Sequence, residues 1–239
     1  MRFKFIVVFM LFIVSPLSVF STEFSDFSSN ITNSSLKAFA KDMGGILGSG
    51  ANNTARSLGF SGFDVGYKQV IQLKPSMRNT VFRSERAISL GWIQAEIGMP
   101  YRVDGFIRGM NYDGFAITGG GLRYGLRKIS DKPGYTQMMF IAMGNMATYR
   151  DFYLTHLGSH IYISKNQKVV IPYMSFGFDS TKLFVNQADD TTLIGKKVYT
   201  FESRFSAGIK FKLRFFYLGL GGIITHSRMS FEGSFGARF

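Results

Sequence analysis

Cysteine is absent from all 239 residues, and proline occurs only five times. Without cysteine there is no disulfide framework, no thiolate metal site, no cysteine nucleophile and no lipid anchor on an N-terminal cysteine. Beyond the N-terminus the chain also lacks any long apolar run, although 46% of its residues are hydrophobic. A chain this apolar with no such run must disperse its apolar residues by alternation, as in a sheet with one apolar face. What the chain does have is 26 Phe, 11 Tyr and 27 Gly.

The first residues read "MRFKFIVVFMLFIVSPLSVFSTEF". Arg2 and Lys4 precede an apolar core at 5–14, and Val19 and Ser21 supply small residues before a cut after Ser21. The pattern predicts a cleaved signal peptide over 1–21. The rival reading is a retained anchor, but the run is short for about 30 Å of hydrocarbon and Pro16 interrupts it. Losing Arg2 and Lys4 takes the formal charge from +13 to +11. Such a charge suggests nucleic acid, but an exported chain meets none, so anionic lipid and anionic solutes are expected instead.

Residues 22–34 form a polar leader rich in Ser and Asn. Asn30, Asn33 and Asn52 stand in glycosylation sequons, which matter only in a eukaryotic host. In 35–48, "SLKAFAKDMGGILG", Leu36, Phe39, Ala40, Met43, Ile46 and Leu47 recur at three- and four-residue steps. The spacing predicts an amphipathic helix capped by Ser34 or Ser35 and stopping near Gly48. A glycine-rich link follows, "GSGANNTARSLGFSG".

From Phe63 the period becomes two. Ten strands are predicted, at 63–72, 87–98, 101–110, 115–129, 135–146, 152–164, 168–179, 197–213, 214–226 and 228–239. In 197–213, Tyr199, Phe201, Phe205, Ala207, Ile209, Phe211 and Leu213 share one face, while Thr200, Glu202, Arg204, Ser206, Lys210 and Lys212 share the other. The strands at 87–98 and 135–146 alternate poorly. Most reach or exceed the roughly nine to eleven residues of a tilted membrane strand. Aromatics recur near strand ends on the apolar face (Tyr199, Phe211, Phe216, Phe231, Phe239), as an interfacial girdle requires. The connections suggest tight turns at one end, near 99–100, 130–134, 165–168 and 213–214, and longer loops at the other, above all 73–86 and 180–196. These features favour a closed transmembrane barrel with its apolar face outward over a sandwich with that face inward.

The chain ends "MSFEGSFGARF", where Met229, Phe231, Gly233, Phe235, Ala237 and Phe239 alternate with polar residues and Gly. This ending resembles the C-terminal assembly signal of Gram-negative outer-membrane barrel proteins, an amphipathic last strand closing on Phe or Trp. Phe231, Phe235 and Phe239 match it. The run "SSLKAFAKDMGGILGSG" through "ARSLGFSGFDVGY", followed by barrel strands, resembles small bacterial outer-membrane proteins with an N-terminal helical segment. The resemblance implies a bacterial outer-membrane location. It also implies as partners the barrel assembly machinery, outer-membrane lipid, lipopolysaccharide and small solutes, and no nucleic acid.

By the face assignment Arg102, Arg108, Arg123, Arg127, Arg204, Lys210, Lys212 and Arg238 point inward, and Asp104 and Glu202 offset part of their charge. One reading is an anion-attracting lumen. The other is internal packing, because a barrel of this strand number is narrow and its charges pair across the inside. His156 and His160 share one strand face, two pleats apart; a hydrolytic base is conceivable, but Ser159 faces the opposite way and no acid is placed beside them. A metal pair lacks its third ligand. Asp189 and Asp190 form a possible ion site or an ordinary solvated loop tip. Gly119, Gly120 and Gly121 lack the lysine and helix of a phosphate loop and mark close approach within a strand.

The reading is therefore an all-β protein, an antiparallel transmembrane barrel of about ten strands, with twelve as the alternative count. A signal occupies 1–21, a leader with a short amphipathic helix 22–61, and the barrel 62–239. The expected function is passage of small, amphipathic or anionic solutes, with the N-terminal segment as a partial plug. The alternative is a structural or adhesive barrel acting through loops 73–86 and 180–196, and an outer-membrane hydrolase is the remote third. No enzyme activity, cofactor or metal is expected.

Overall fold

A computed structural model describes residues 24–82 and 87–239. The expected signal peptide at 1–21 lies outside the described residues, as does the end of the 73–86 loop.

Among the described residues, ten strands follow two α-helices. The helices are α1 (Phe27–Asn30) and α2 (Leu36–Leu47). The strands are β1 (Phe63–Leu73), β2 (Ala87–Gly98), β3 (Val103–Tyr112), β4 (Phe115–Gly125), β5 (Thr136–Tyr149), β6 (Phe152–Lys165), β7 (Val170–Val185), β8 (Lys197–Lys212), β9 (Phe216–Thr225) and β10 (Arg228–Arg238). Each pairs antiparallel with the next, and β1 pairs with β10 to close the barrel. Closure explains the terminal phenylalanine. Phe239 and Phe63 exchange main-chain hydrogen bonds of 2.8 and 3.0 Å, so the last residue is tied into the seam. Closure also removes the unpaired edges that neither lipid nor water would tolerate in so apolar a sheet.

Alternation sends one set of side chains out. Ile93, Ile107, Leu122, Leu157, Phe176, Phe205 and Ile224 are all exposed. So are Phe231, Phe235 and Phe239 of the final strand. Phe63, Tyr101, Tyr124, Phe215 and Phe216 are exposed where the chain enters and leaves the barrel, and Tyr112, Tyr199 and Phe201 toward the other end. An apolar belt between aromatic rims suits a bilayer and not water. Among the described residues no helix is long and apolar enough to cross a membrane; the strands do so.

The expected parity of connections does not hold. The longest connections, 74–86 and 186–196, share one end with three two-residue turns, at 113–114, 150–151 and 226–227. At the other end the 126–135 connection runs to ten residues. Asp113 and Gly114 (φ 48° and 76°) and His226 and Ser227 (φ 41° and 61°) take the left-handed conformation of tight hairpins. Such turns form where neighbouring strands end level. For brevity the end bearing 74–86 and 186–196 is the loop end, and the other is the turn end.

Poor alternation in β2 and β5 has a simple cause. Ile88, Leu90 and Trp92 of β2, and Met139, Ile141, Met143 and Ala147 of β5, point into the lumen and are buried there. The lumen is not an open space but the seat of residues 24–61. This segment enters at the loop end, where Phe24 stacks on Phe115 with ring centroids 4.3 Å apart. It passes down the inside and joins β1 at the turn end. Residues 42–55 are all buried.

Candidate functional site: the lumen and its plug

A helix ends with unpaired carbonyls and a partial negative charge. In water, solvent satisfies them; inside a sealed barrel the wall must. Helix α2 reaches Leu47 in mid-lumen, and three wall arginines converge on its last turn and the residues beyond it. Arg204 of β8 donates to the Gly45 carbonyl at 2.8 Å, the Gly44 carbonyl at 3.3 Å and the Ser49 hydroxyl at 2.9 Å. Arg108 of β3 donates to the Ser49 carbonyl at 2.7 Å and to the Leu47 carbonyl. Asn145 of β5 donates to the same Leu47 carbonyl at 3.1 Å. Arg123 of β4 donates to the Ala51 carbonyl at 2.6 Å. These are charge-assisted bonds in a water-poor space, the strong class of hydrogen bond.

Each arginine is aimed by a partner on the wall. Asp179 of β7 accepts from Arg204 Nε at 2.6 Å. Glu96 of β2 takes Arg123 through both oxygens, at 2.5 and 2.8 Å, and Gln94 donates to it at 2.7 Å. Asn145 Oδ1 accepts from Arg108 Nε at 2.7 Å. The guanidinium of Arg108 also lies over the Trp92 ring (4.8 Å) and that of Arg123 over Phe106 (4.6 Å). The glycine run has a role here. A Cβ on Gly119 would collide with Asn145 Oδ1, so only glycine leaves Asn145 room to hold both Arg108 and Leu47.

Close approach also governs the helix. A Cβ on Gly44 would collide with Thr181 Oγ1. The "MGGILG" run therefore lets α2 press its backbone against β7. It also weakens the helix internally, a cost of about 1 kcal/mol per glycine relative to alanine. Packing on the wall stabilises it in return.

Near the loop end a carboxylate on the plug is held by the barrel. Asp42 accepts from Gln72 at 2.8 Å, Asn79 at 2.7 Å, and Ser76 through its N–H at 2.9 Å and hydroxyl at 2.8 Å. His226 Nε2 of the β9–β10 turn lies 3.0 Å from the same group. Burial pushes the Asp42 carboxyl upward, but the bonds from His226, Asn79 and Ser76 outweigh it and hold it below its ordinary value of 3.8. Beside it Lys41 pairs with Glu202 at 2.5 Å. Toward the turn end the extended residues 49–58 continue the pattern. Glu232 accepts from Gly50 N at 2.9 Å and from the Tyr173 hydroxyl at 2.7 Å. Asp104 accepts from the Ser57 hydroxyl at 2.7 Å and from Leu58 N. Arg238 donates to the Ser57 and Leu58 carbonyls.

Of the basic residues assigned inward, Arg108, Arg123, Arg204 and Lys210 are buried in the lumen and Arg238 is partly buried at its turn end. Lys212 is exposed at the turn-end mouth. Arg102 and Arg127 lie elsewhere. Tyr101 and Arg102 have positive φ in a 3₁₀ turn that interrupts alternation before β3, and Arg102 turns out to the Tyr124 hydroxyl at 3.3 Å. Arg127 lies beyond β4, which stops at Gly125, and bonds the Thr136 carbonyl at 3.0 Å.

His156 and His160 face the lumen, and an acid does stand beside them: Asp179 Oδ1 is 3.4 Å from His156 Nε2 and 2.9 Å from His160 Nε2. Thr181 Oγ1 is 3.0 Å from His156 Nδ1. All four side chains are buried and α2 covers Thr181, so the cluster orients Arg204 toward the plug rather than meeting solvent. Asp189 accepts from Ser28 at 2.7 Å, and Asp190 caps its own 3₁₀ turn by accepting from Thr192 N at 3.0 Å. Among the described residues no cluster of three His, Cys, Asp or Glu is arranged to hold a metal.

Sequence reasoning missed Asp42, Asp179, Glu96 and Glu232. The inward parity of Asp179, Glu96 and Glu232 was legible; the partners were not. Those partners are mostly side chains of other strands and loops, brought opposite by closure of the sheet and by threading of the segment.

A closed barrel with this exterior is a transmembrane β-barrel of the outer-membrane type. No protein-family model matches the chain, and no curated protein is similar to it. Among solved structures it is similar to Ail, the attachment invasion locus protein of Yersinia pestis, in complex with the heparin analogue sucrose octasulfate. That likeness has 11% identity and a TM-score of 0.33 over 75% of this chain and 97% of that one. It is also similar to Neisserial surface protein A, with 12% identity and a TM-score of 0.32 over 74% of this chain and 95% of that one. Both likenesses are weak, and neither bears on what this chain does.

Proposed function

We propose that the protein is a self-plugged barrel of the bacterial outer membrane, which passes small anionic or amphipathic solutes when residues 24–61 move out of the lumen. The observation that carries this reading is the cradle of Arg108, Arg123 and Arg204 around the carbonyls of Gly45, Leu47, Ser49 and Ala51. Water can take the place of each of these bonds. With the segment displaced, three guanidinium groups would line a wet passage and favour anions. An aliphatic lumen would have stayed dry instead.

The segment closes the lumen more fully than a partial plug. A reading through surface loops has less support, because residues 74–82 of the first loop and residues 186–196 of the second bond to the segment. Thr80 donates to the Asn30 carbonyl, Asp189 N to the Ser28 carbonyl at 3.1 Å, and Lys196 to Asn33 at 3.0 Å.

The absence of cysteine makes a clean test. A Cβ on Gly44 would lie 3.1 Å from Thr181 Cβ, a few tenths of an ångström inside the span of about 3.5–4.5 Å that a disulfide bridges. The Gly44→Cys/Thr181→Cys variant should conduct in planar bilayers like the wild type when reduced, in anion-selective steps. Oxidised, it should be silent. Equal conductance in both states would show that ions bypass the plug. Silence in both, while added protease cuts the segment out of a folded barrel, would remove the transport reading.

A further inference from the structure

At the turn end the lumen opens into a small recess, continuous with solvent on one side. Five cations line it: Arg56 from the plug, Lys210 and Lys212 from β8, Arg214 from the β8–β9 turn and Arg238 from β10. Among the described residues the one carboxylate in the lining is Asp131, already matched by Arg56 at 2.8 Å. That bond and the charge of Arg56 hold its carboxyl below the ordinary value. Deeper in, Asp64 accepts from Tyr217 at 2.8 Å and Glu96 is taken by Arg123. Neither reaches the mouth.

Two of the cations, Lys212 and Arg214, make no side-chain hydrogen bond or ion pair among the described residues. Arg214 lies over Phe215 at 5.0 Å, and Lys212 stands in the field of Asp131. Lys210 lies over Tyr217 at 3.7 Å and in the field of Asp64. Uncompensated charge gathered around a concave site is disfavoured unless an anion completes it. The outer lip is of the opposite character. Leu213, Phe215 and Phe216 are exposed at the lipid-facing rim.

We infer that this recess binds a phosphate group, supplied by the headgroup of an anionic phospholipid whose acyl chains lie against Leu213, Phe215 and Phe216. The basic floor would hold the phosphate oxygens, with Lys212 and Arg214 at the exposed mouth donating charge-assisted bonds to them. The inference is read from the barrel with its plug in place, and its test does not require the plug to move.

The test uses the full chain in vesicles of phosphatidylcholine with a minor share of phosphatidylglycerol, followed by native mass spectrometry of the extracted protein. One phosphatidylglycerol should be retained over the zwitterionic lipid. Lys212→Gln/Arg214→Gln, both at the exposed mouth, should lower that retention about thirtyfold, since each cation contributes on the order of 1 kcal/mol to anionic lipid binding. Lys165→Gln/Lys168→Gln removes equal charge from the adjacent strand end and turn, outside the recess, and should leave retention unchanged. Inorganic phosphate is titrated separately by ³¹P NMR. Binding of phosphate that the mouth variant weakens, without lipid preference, would assign the site to free phosphate and keep its chemistry. The inference is overturned if folded protein neither prefers the anionic lipid nor binds phosphate, or if both double variants lower retention equally.

Discussion

Around residues 24–40 the segment is packed by rings. Phe27, Phe39, Phe82 and Phe152 are fully buried, with the Phe39 centroid 5.0 Å from Phe27, 5.4 Å from Phe82 and 5.0 Å from Phe152. Around residues 44–58 the same segment is held by charges, with Arg204, Arg108, Arg123, Glu232 and Asp104 bonded to its main chain. The two kinds of packing suit different tasks. A dry aromatic cluster resists separation because its rings are costly to expose to water, and water offers nothing in place of their close packing. A charged cradle can exchange its bonds with water, provided every member is rehydrated together. The lower lumen is thus the part that opens first and the loop end the last to release.

The largest effect should come from breaking a charge pair while the plug stays in place. Arg123→Met leaves Glu96 buried without its arginine and Ala51 without the nearer of its two donors, Gln94 remaining at 3.4 Å. The expected loss is about 3–5 kcal/mol, read as a lower urea midpoint of the heat-modifiable gel band. Arg123→Met/Glu96→Gln should recover much of it, since the uncompensated charge is removed as well. Failure to recover would mean that the Ala51 bond, not the pair, dominates.

Next comes the aromatic anchor. Phe39→Ala opens a cavity between α1, the 74–86 loop and β6, and should cost about 3–4 kcal/mol. Protease added at the loop end should then cut the segment, whereas the Arg123 variant should not increase cutting there. Equal cutting in both would erase the distinction between anchor and cradle.

A smaller effect is expected where the regions meet. Asp42→Asn keeps the shape but loses charge-assisted bonds, for about 1.5–3 kcal/mol. Because the folded carboxyl lies below its ordinary value, its contribution is complete above about pH 4 and fades as pH falls through the lowered folded value. The variant should therefore show a flatter stability profile on the acid side. An unchanged profile would detach Asp42 from the latch. Smallest of all, Asp190→Ala should leave the plug and thermal unfolding as they are, because that carboxylate is exposed and serves only its own turn. A rise in unfolding temperature on adding calcium would reinstate the ion site.

Much of this is legible in the amino-acid order. Ten strands are predicted and ten are present among the described residues, and the helix expected at 35–48 is the observed Leu36–Leu47 within a residue. The aromatic exterior and the terminal Phe239 fit the barrel seam. Errors fall where alternation is interrupted for a reason outside the strand. Arg102 turns out because a positive-φ turn precedes it, and β2 and β5 look irregular because their inner faces meet an apolar plug. The two-residue turn at 226–227 also puts His226 beside Asp42, 184 residues away in sequence.

The period of two, the outward apolar face and the amphipathic helix are local regularities, which a few neighbouring residues specify without help from the rest of the chain. That the helix lies inside the barrel, and that Arg108, Arg123 and Arg204 serve its carbonyls, was settled by the threading of one segment through the closed sheet. A main-chain carbonyl is the same at every residue, so no side-chain pattern announces which of them a distant guanidinium will meet.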